Sequence, residues 1–87
     1  AAAHLQEWEH AGLAALNGVQ PRGIAARPGR LVMDAEALRA GLRPRSIHAP
    51  RASLVAVENT HNGAGGVITP VDELHAIGAV AREVGLP

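Results

Sequence analysis

The sequence predicts an α/β fold, a mostly parallel sheet flanked by helices, on three observations. Leu54-Val55-Ala56-Val57 is a continuous apolar run without in-out alternation, which suits a strand covered on both faces. That run ends abruptly in Glu58-Asn59-Thr60-His61-Asn62, a set of hydrogen-bonding side chains just past the strand's C-terminal end, where open α/β sheets bind their ligands. Short apolar segments then alternate with helical patterns along the chain, the order expected of α/β proteins.

Taken from the N-terminus, Ala1-Ala2-Ala3-His4 leads into Leu5–Leu16, where Leu5, Trp8, Gly12 and Leu16 share one helical face. At about 100° per residue, Glu9 falls inside that apolar arc. A carboxylate there either needs a partner or, if Gly12 makes the segment irregular, simply faces water; both readings stand. Asn17-Gly18 ends the segment, and Val19–Ile24 reads as a short, weak strand interrupted by Pro21, at an edge or sheet end. Arg27-Pro28-Gly29-Arg30 is a turn. Asp34 caps a second helix from Ala35 to about Leu42, with Met33 and Leu38 placed as a hydrophobic staple, and Pro44 ends it.

Arg43 to Arg51, RPRSIHAPR, carries two prolines and reads as a loop that delivers His48 and the chain into the central strand. After that strand, Gly63, Gly65 and Gly66 let the backbone turn. Thr69 reads as an N-cap, Pro70 as the first helical residue and Asp72 as a capping-box partner. The last helix, Pro70–Val84, is expected to bury Val71, Leu74, Ile77, Ala81 and Val84, with Asp72 and Glu73 near the positive end of its dipole.

Composition bounds the function. Among 87 residues there is no Phe or Tyr and one Trp, and much of the 47% hydrophobic content is alanine, so little large apolar surface offsets chain entropy. The expected status is an internal fragment of a larger catalytic domain: the chain does not begin with Met, and Gly85-Leu86-Pro87 reads as a helix end followed by the start of another strand. Eight acidic and eight basic residues are interspersed and cancel, which argues against nucleic acid or an anionic membrane as partner. No cysteine is present, so disulfides and thiolate metal sites are excluded; no apolar run spans a bilayer, and the expected setting is cytoplasmic. The five histidines lack metal-ligand spacing, with no His-x-x-x-His pair, so no metal is expected. NGAGG is neither a Walker A sequence nor GxGxxG and reads as a turn. On the residues alone, His4 and His48 are exposed loop histidines.

Three stretches carry a resemblance. VENTHNGAGGVITP resembles the L-ENTHN-GG-VLP segment of low-specificity L-threonine aldolases, β-eliminating lyases of the fold-type-I pyridoxal-phosphate group. AAAH, then Glu9, then AGLAALNGVQP resembles that family's AAH...E-x-GG-x-A-x-L-x-G-x-QP, and RPRSIHAPR resembles its RP-x-DIH-x-PRT loop. The three occur in the family's order over nearly the whole chain.

The resemblance implies part of the large domain of a fold-type-I enzyme that uses pyridoxal 5'-phosphate to cleave β-hydroxy-α-amino acids, threonine giving glycine and acetaldehyde. It implies that His4 stacks on the cofactor ring and that His48 acts at the substrate's β-hydroxyl. Glu9 corresponds to an acidic residue beside them, and Glu58 and Asn59 to strand-end pocket residues. It also implies a homo-oligomer with a small-molecule amino-acid substrate. Ala11 stands where the family has the first of two glycines, and Ser46 where aspartate is usual, so local backbone or pocket shape is expected to differ there. All eight basic residues are arginine, so these 87 residues contain no lysine to bind the cofactor's aldehyde, and the chain alone is expected to be inactive. Two other classes fit the residues: another fold-type-I lyase or aminotransferase, and a noncatalytic relic or interaction module.

Overall fold

The computed structural model describes residues 2–87, and its helices are α1 (His4–Glu7), α2 (Gly12–Asn17), α3 (Ala35–Gly41) and α4 (Val71–Glu83). The centre of the molecule is the contact between α3 and α4. Leu38, Ile77 and Val80 are buried together, with Ile24, Met33, Ala35, Leu42 and Val55 packed around them. Each such large side chain taken fully out of water contributes about 1.5–3 kcal/mol. Met33 and Leu38 thus share one cluster, as the staple reading requires. On α4 the buried residues are Ile77, Val80 and Ala81, while Val71 and Val84 at its two ends are exposed. The expected apolar face is therefore rotated toward Val80 and shortened at both ends of α4. Gly41 makes room for this packing: a Cβ there would lie 2.8 Å from Ile24 Cδ1.

Polar groups set the relative direction of the two helices. Asp34 caps α3 through its side chain, which accepts the Ala37 N–H at 2.8 Å. Glu73, in the first turn of α4, accepts the Ala35 N–H at 2.9 Å and so satisfies a second orphan donor of α3. At the other ends Arg39 forks onto Glu83, with nitrogen-oxygen distances of 2.6 and 3.2 Å. First turn meets first turn and last meets last, so α3 and α4 run in the same direction. Asp34 is almost wholly buried and also accepts from Arg27 Nε and Nη2 and from Arg30 Nε, which ties the Arg27–Arg30 turn to the helix pair.

Several expected elements take another form. The N-terminal helix is broken: a 3-10 turn over Glu9–Ala11 separates α1 from α2, and Glu9, His10 and Ala11 have φ of 53°, 50° and 56°. The break falls before Gly12, which itself is regular helix (φ −56°, ψ −35°). Val19–Ile24 and Leu54–Val57 form neither helix nor strand; among the described residues the β pairing is one antiparallel bridge between His61 and Val67. A strand exists only through a partner's hydrogen bonds, and although Ile24 and Val55 pack against the same buried cluster, no backbone hydrogen bond joins the two segments among the described residues. Leu54–Val57 does acquire one rung, Val55 N–H donating to the Pro87 carbonyl at 3.0 Å. Pro70, not Thr69, is the N-cap of α4: its ψ of 148° is extended, and no side chain caps the helix, so Asp72 forms no capping box. Thr69 is instead buried one residue earlier, where Asn59 Oδ1 accepts its N–H. No helix is long and apolar enough to cross a membrane among the described residues.

Candidate active site

The loop from Glu58 to Val67 folds back on itself before entering α4. His61 N–H donates to the Val67 carbonyl at 2.9 Å and Gly66 N–H to the His61 carbonyl at 3.0 Å. Gly65 and Gly66 have φ of 84° and 78°, a region glycine enters without cost, so the cluster is the turn its composition predicts. Gly63 serves a different purpose. A Cβ on it would lie 2.8 Å from the Ala2 carbonyl oxygen, so glycine at this position lets the N-terminal segment lie directly on the loop.

That close approach assembles a polar cluster from two distant parts of the sequence. Glu58 Oε2 accepts the backbone N–H of His4 at 2.5 Å, and Glu58 Oε1 accepts the backbone N–H of Asn62 at 2.8 Å. The His4 amide is one of the unpaired donors at the start of α1, so Glu58 satisfies it across 54 residues of sequence. These two N–H groups, His4 first, hold the Glu58 carboxyl below the usual carboxylate range against the opposing effect of burial, with His4 and His61 adding smaller contributions. His4 Nε2 lies 3.1 Å from Asn62 Nδ2, and His4 Nδ1 lies 3.7 Å from Glu9 Oε1. His61 Nδ1 is buried, 3.9 Å from Glu58 Oε1 and without a hydrogen-bond partner among the described residues.

His4, Glu9 and Glu58, all singled out from the sequence, therefore meet in space. Glu9 keeps 59% of its side chain exposed while standing beside His4, so both of its sequence readings hold in part. Asn59 turns away: its side chain braces the loop through the Thr69 N–H. His48 lies elsewhere, in an exposed turn where its backbone N–H donates to Ser46 Oγ. The loop carrying it shares a cleft with Val84, Gly85 and Leu86 at the C-terminal end of α4, whereas the Glu58–Val67 loop enters the N-terminal end. Thirteen helical residues separate those ends by roughly 20 Å. Asn62, His61 and Gly63 belong to the cluster although sequence reasoning assigned them no site role. The polar run that contains Asn62 and His61 was their signal, but which of its side chains points toward His4 is set by the turn.

Asn62 contacts one nitrogen of His4 and Glu9 stands near the other, and 44% of the His4 side chain is exposed. Trp8 stands nearby, its ring centroid 6.3 Å from that of His4 at a 48° tilt.

Comparison with known proteins identifies the family. The family model described as beta-eliminating lyase matches residues 1–87, and the chain belongs to that family. Among curated proteins it is 43% identical over 63 residues to the low specificity L-threonine aldolase of Escherichia coli strain K12, an alignment covering 71% of this chain and 18% of that protein. It is 31% identical over 85 residues to the probable low-specificity L-threonine aldolase 2 of Arabidopsis thaliana, covering 95% of this chain and 24% of the relative. The uncharacterized protein R102.4 of Caenorhabditis elegans is 27% identical over 79 residues, covering 91% and 19%. The chain thus spans about a quarter or less of the length of these relatives.

Proposed function

We propose that this chain forms part of the active site of a pyridoxal-phosphate-dependent lyase that cleaves β-hydroxy-α-amino acids, with L-threonine yielding glycine and acetaldehyde. The observation that carries the reading is His4, held at its edge by Asn62 and Glu9 with ring surface open, in a family of lyases whose curated relatives include threonine aldolases. Pyridoxal phosphate, when bound, supplies an electron sink for the carbanion left as the Cα–Cβ bond breaks. The residues present fit its ring: His4 stacks on it, while Glu9 places negative charge beside Nδ1 of that histidine. Glu58 works one layer out, fixing where α1 begins and so where the His4 ring lies. Since the 87 residues hold no lysine, the amine that binds the cofactor comes from outside them.

His48 enters this reading on the RPRSIHAPR resemblance alone, with the role of hydrogen-bonding the substrate's β-hydroxyl and accepting its proton. The α/β architecture is likewise part of the proposal. Its support is the common direction of α3 and α4, which right-handed strand-helix-strand crossovers on one face of a parallel sheet produce, and the Val55–Pro87 rung, which brings the chain after α4 back beside Leu54–Val57. A homo-oligomer acting in the cytoplasm completes the proposal.

The test is to express the protein from its natural reading frame, load it with pyridoxal phosphate, and measure glycine and acetaldehyde from L-threonine beside ammonia and pyruvate release from tryptophan and tyrosine. Threonine cleavage without tryptophan or tyrosine breakdown is the expected result; the opposite preference would move the chain to another lyase of the same family.

A further inference from the structure

The two nitrogens of His4 face groups of opposite hydrogen-bonding character. Glu9 presents a carboxylate to Nδ1 at 3.7 Å, beyond hydrogen-bonding distance but close enough for its charge to favour a hydrogen on that nitrogen. Asn62 presents its Nδ2 amide to Nε2 at 3.1 Å. An amide NH2 can only donate, so with the amide in this orientation Nε2 offers a lone pair. One form of imidazole satisfies both neighbours: the neutral ring with its hydrogen on Nδ1. The imidazolium and the Nε2–H tautomer both point a hydrogen at the Asn62 amide and would require it to turn end for end.

Asn62 is well placed to impose this choice. Its own backbone N–H is tied to Glu58 Oε1, the same carboxylate whose other oxygen holds the His4 backbone. Its carbonyl accepts the Gly65 N–H at 2.8 Å, which closes the turn behind it. One carboxylate thus fixes the spacing between the two residues. We propose that Asn62 is a positioning residue which, with Glu9, sets His4 in the neutral Nδ1–H tautomer and locks its ring plane by the edge, so that the exposed face is presented to a planar ligand. Its use in catalysis rests on the lyase reading above; the tautomer does not.

The experiment is nitrogen NMR of the imidazole rings in protein labelled with 15N-histidine, expressed from its natural reading frame and stripped of cofactor. It is run above the ordinary histidine titration range, which centres near about 6.5. His4 is assigned from the signals missing in His4→Gln. In the wild type, His4 should show a protonated Nδ1 and an unprotonated Nε2. Asn62→Asp replaces the donor by an acceptor and should invert the ratio to a majority of Nε2–H. Gly63→Ala provides a second route with both side chains unaltered: its Cβ meets the Ala2 carbonyl, should lift His4 off the loop and abolish the Nδ1–H bias. A wild-type His4 that is mainly Nε2–H, or a tautomer unmoved by both variants, would overturn the proposal. The two readings fail separately: threonine cleavage by a protein whose His4 is Nε2–H sinks this inference alone, whereas an Nδ1–H ring that Asn62→Asp inverts, in a protein inert toward threonine, sinks the lyase reading alone.

Discussion

Replacing Ala11 by glycine should stabilise the protein. Ala11 has φ 56° and ψ 30°, the left-handed region, and closes the turn that carries Glu9 to His4 before α2 begins. For a residue with a Cβ that conformation costs about 1–2 kcal/mol. Glycine enters it freely but loses about 0.5–1 kcal/mol more backbone entropy on folding. The difference leaves about 0.5–1 kcal/mol in favour of glycine, roughly two- to fivefold in the folding equilibrium. With a urea dependence of about 1 kcal/mol per molar for a small chain, the midpoint should rise by about 0.5–1 M. Titrations run in a fixed concentration of trimethylamine oxide keep the folded baseline measurable. Gly12 supplies the opposing control, since its φ of −56° is ordinary helix and a Cβ there meets nothing within 4 Å. Gly12→Ala should therefore also stabilise, by up to about 1 kcal/mol. A lower midpoint for Ala11→Gly, or a large loss for Gly12→Ala, would place the left-handed turn elsewhere and refute the geometry given for Glu9.

Three further expectations concern the core, acid and catalysis. Leu38→Ala removes the most buried large side chain of the α3–α4 contact and should cost about 2–5 kcal/mol, enough to abolish the cooperative urea transition; an unchanged midpoint would sink this account of the core. Asp34 is held below the usual carboxylate range, first by the Arg27 guanidinium and then by the Ala37 N–H, and Glu58 by the His4 and Asn62 N–H groups. Their folded values lie below their unfolded ones, so the stabilisation is complete above about pH 5 and is lost as pH falls through about 4 toward the folded values. Asp34→Asn should lower stability at neutral pH and flatten that acid limb, and an acid limb identical to the wild type would rule out Asp34 as its source. In the cofactor-loaded protein, His48→Ala should lower threonine turnover by about 10²–10⁴-fold with the cofactor's absorbance intact, while His4→Ala should alter that absorbance. Wild-type kinetics for His48→Ala would return that histidine to an exposed loop residue.

Local features were legible in the sequence wherever the deciding physics is local. Asp34 ahead of an apolar-periodic stretch specifies a capped helix because the capping oxygen and the orphan N–H lie three residues apart. The glycines of Gly63-Ala64-Gly65-Gly66 announce a turn for the same kind of reason. The three motif stretches pointed to the lyase family, which the family match to residues 1–87 supports independently.

What depends on distant partners was legible only in part. Leu54–Val57 has the composition of a buried strand, yet strand structure requires a neighbour's backbone, and one hydrogen bond from Val55 is what the fold supplies. Whether Gly12 makes the N-terminal helix irregular was left open by the sequence; the break occurs over Glu9–Ala11, with Glu9 beside His4 and the start of α1 held by Glu58, 54 residues away. Sequence alone therefore determined the residue types of the site, the helices and turns that need only near neighbours, and the family. Tertiary structure decided which polar side chains meet: it joined Asn62 to His4, turned Asn59 into a brace for Thr69 and left His48 at the far end of α4, since hydrogen bonds across tens of residues depend on how the loops pack.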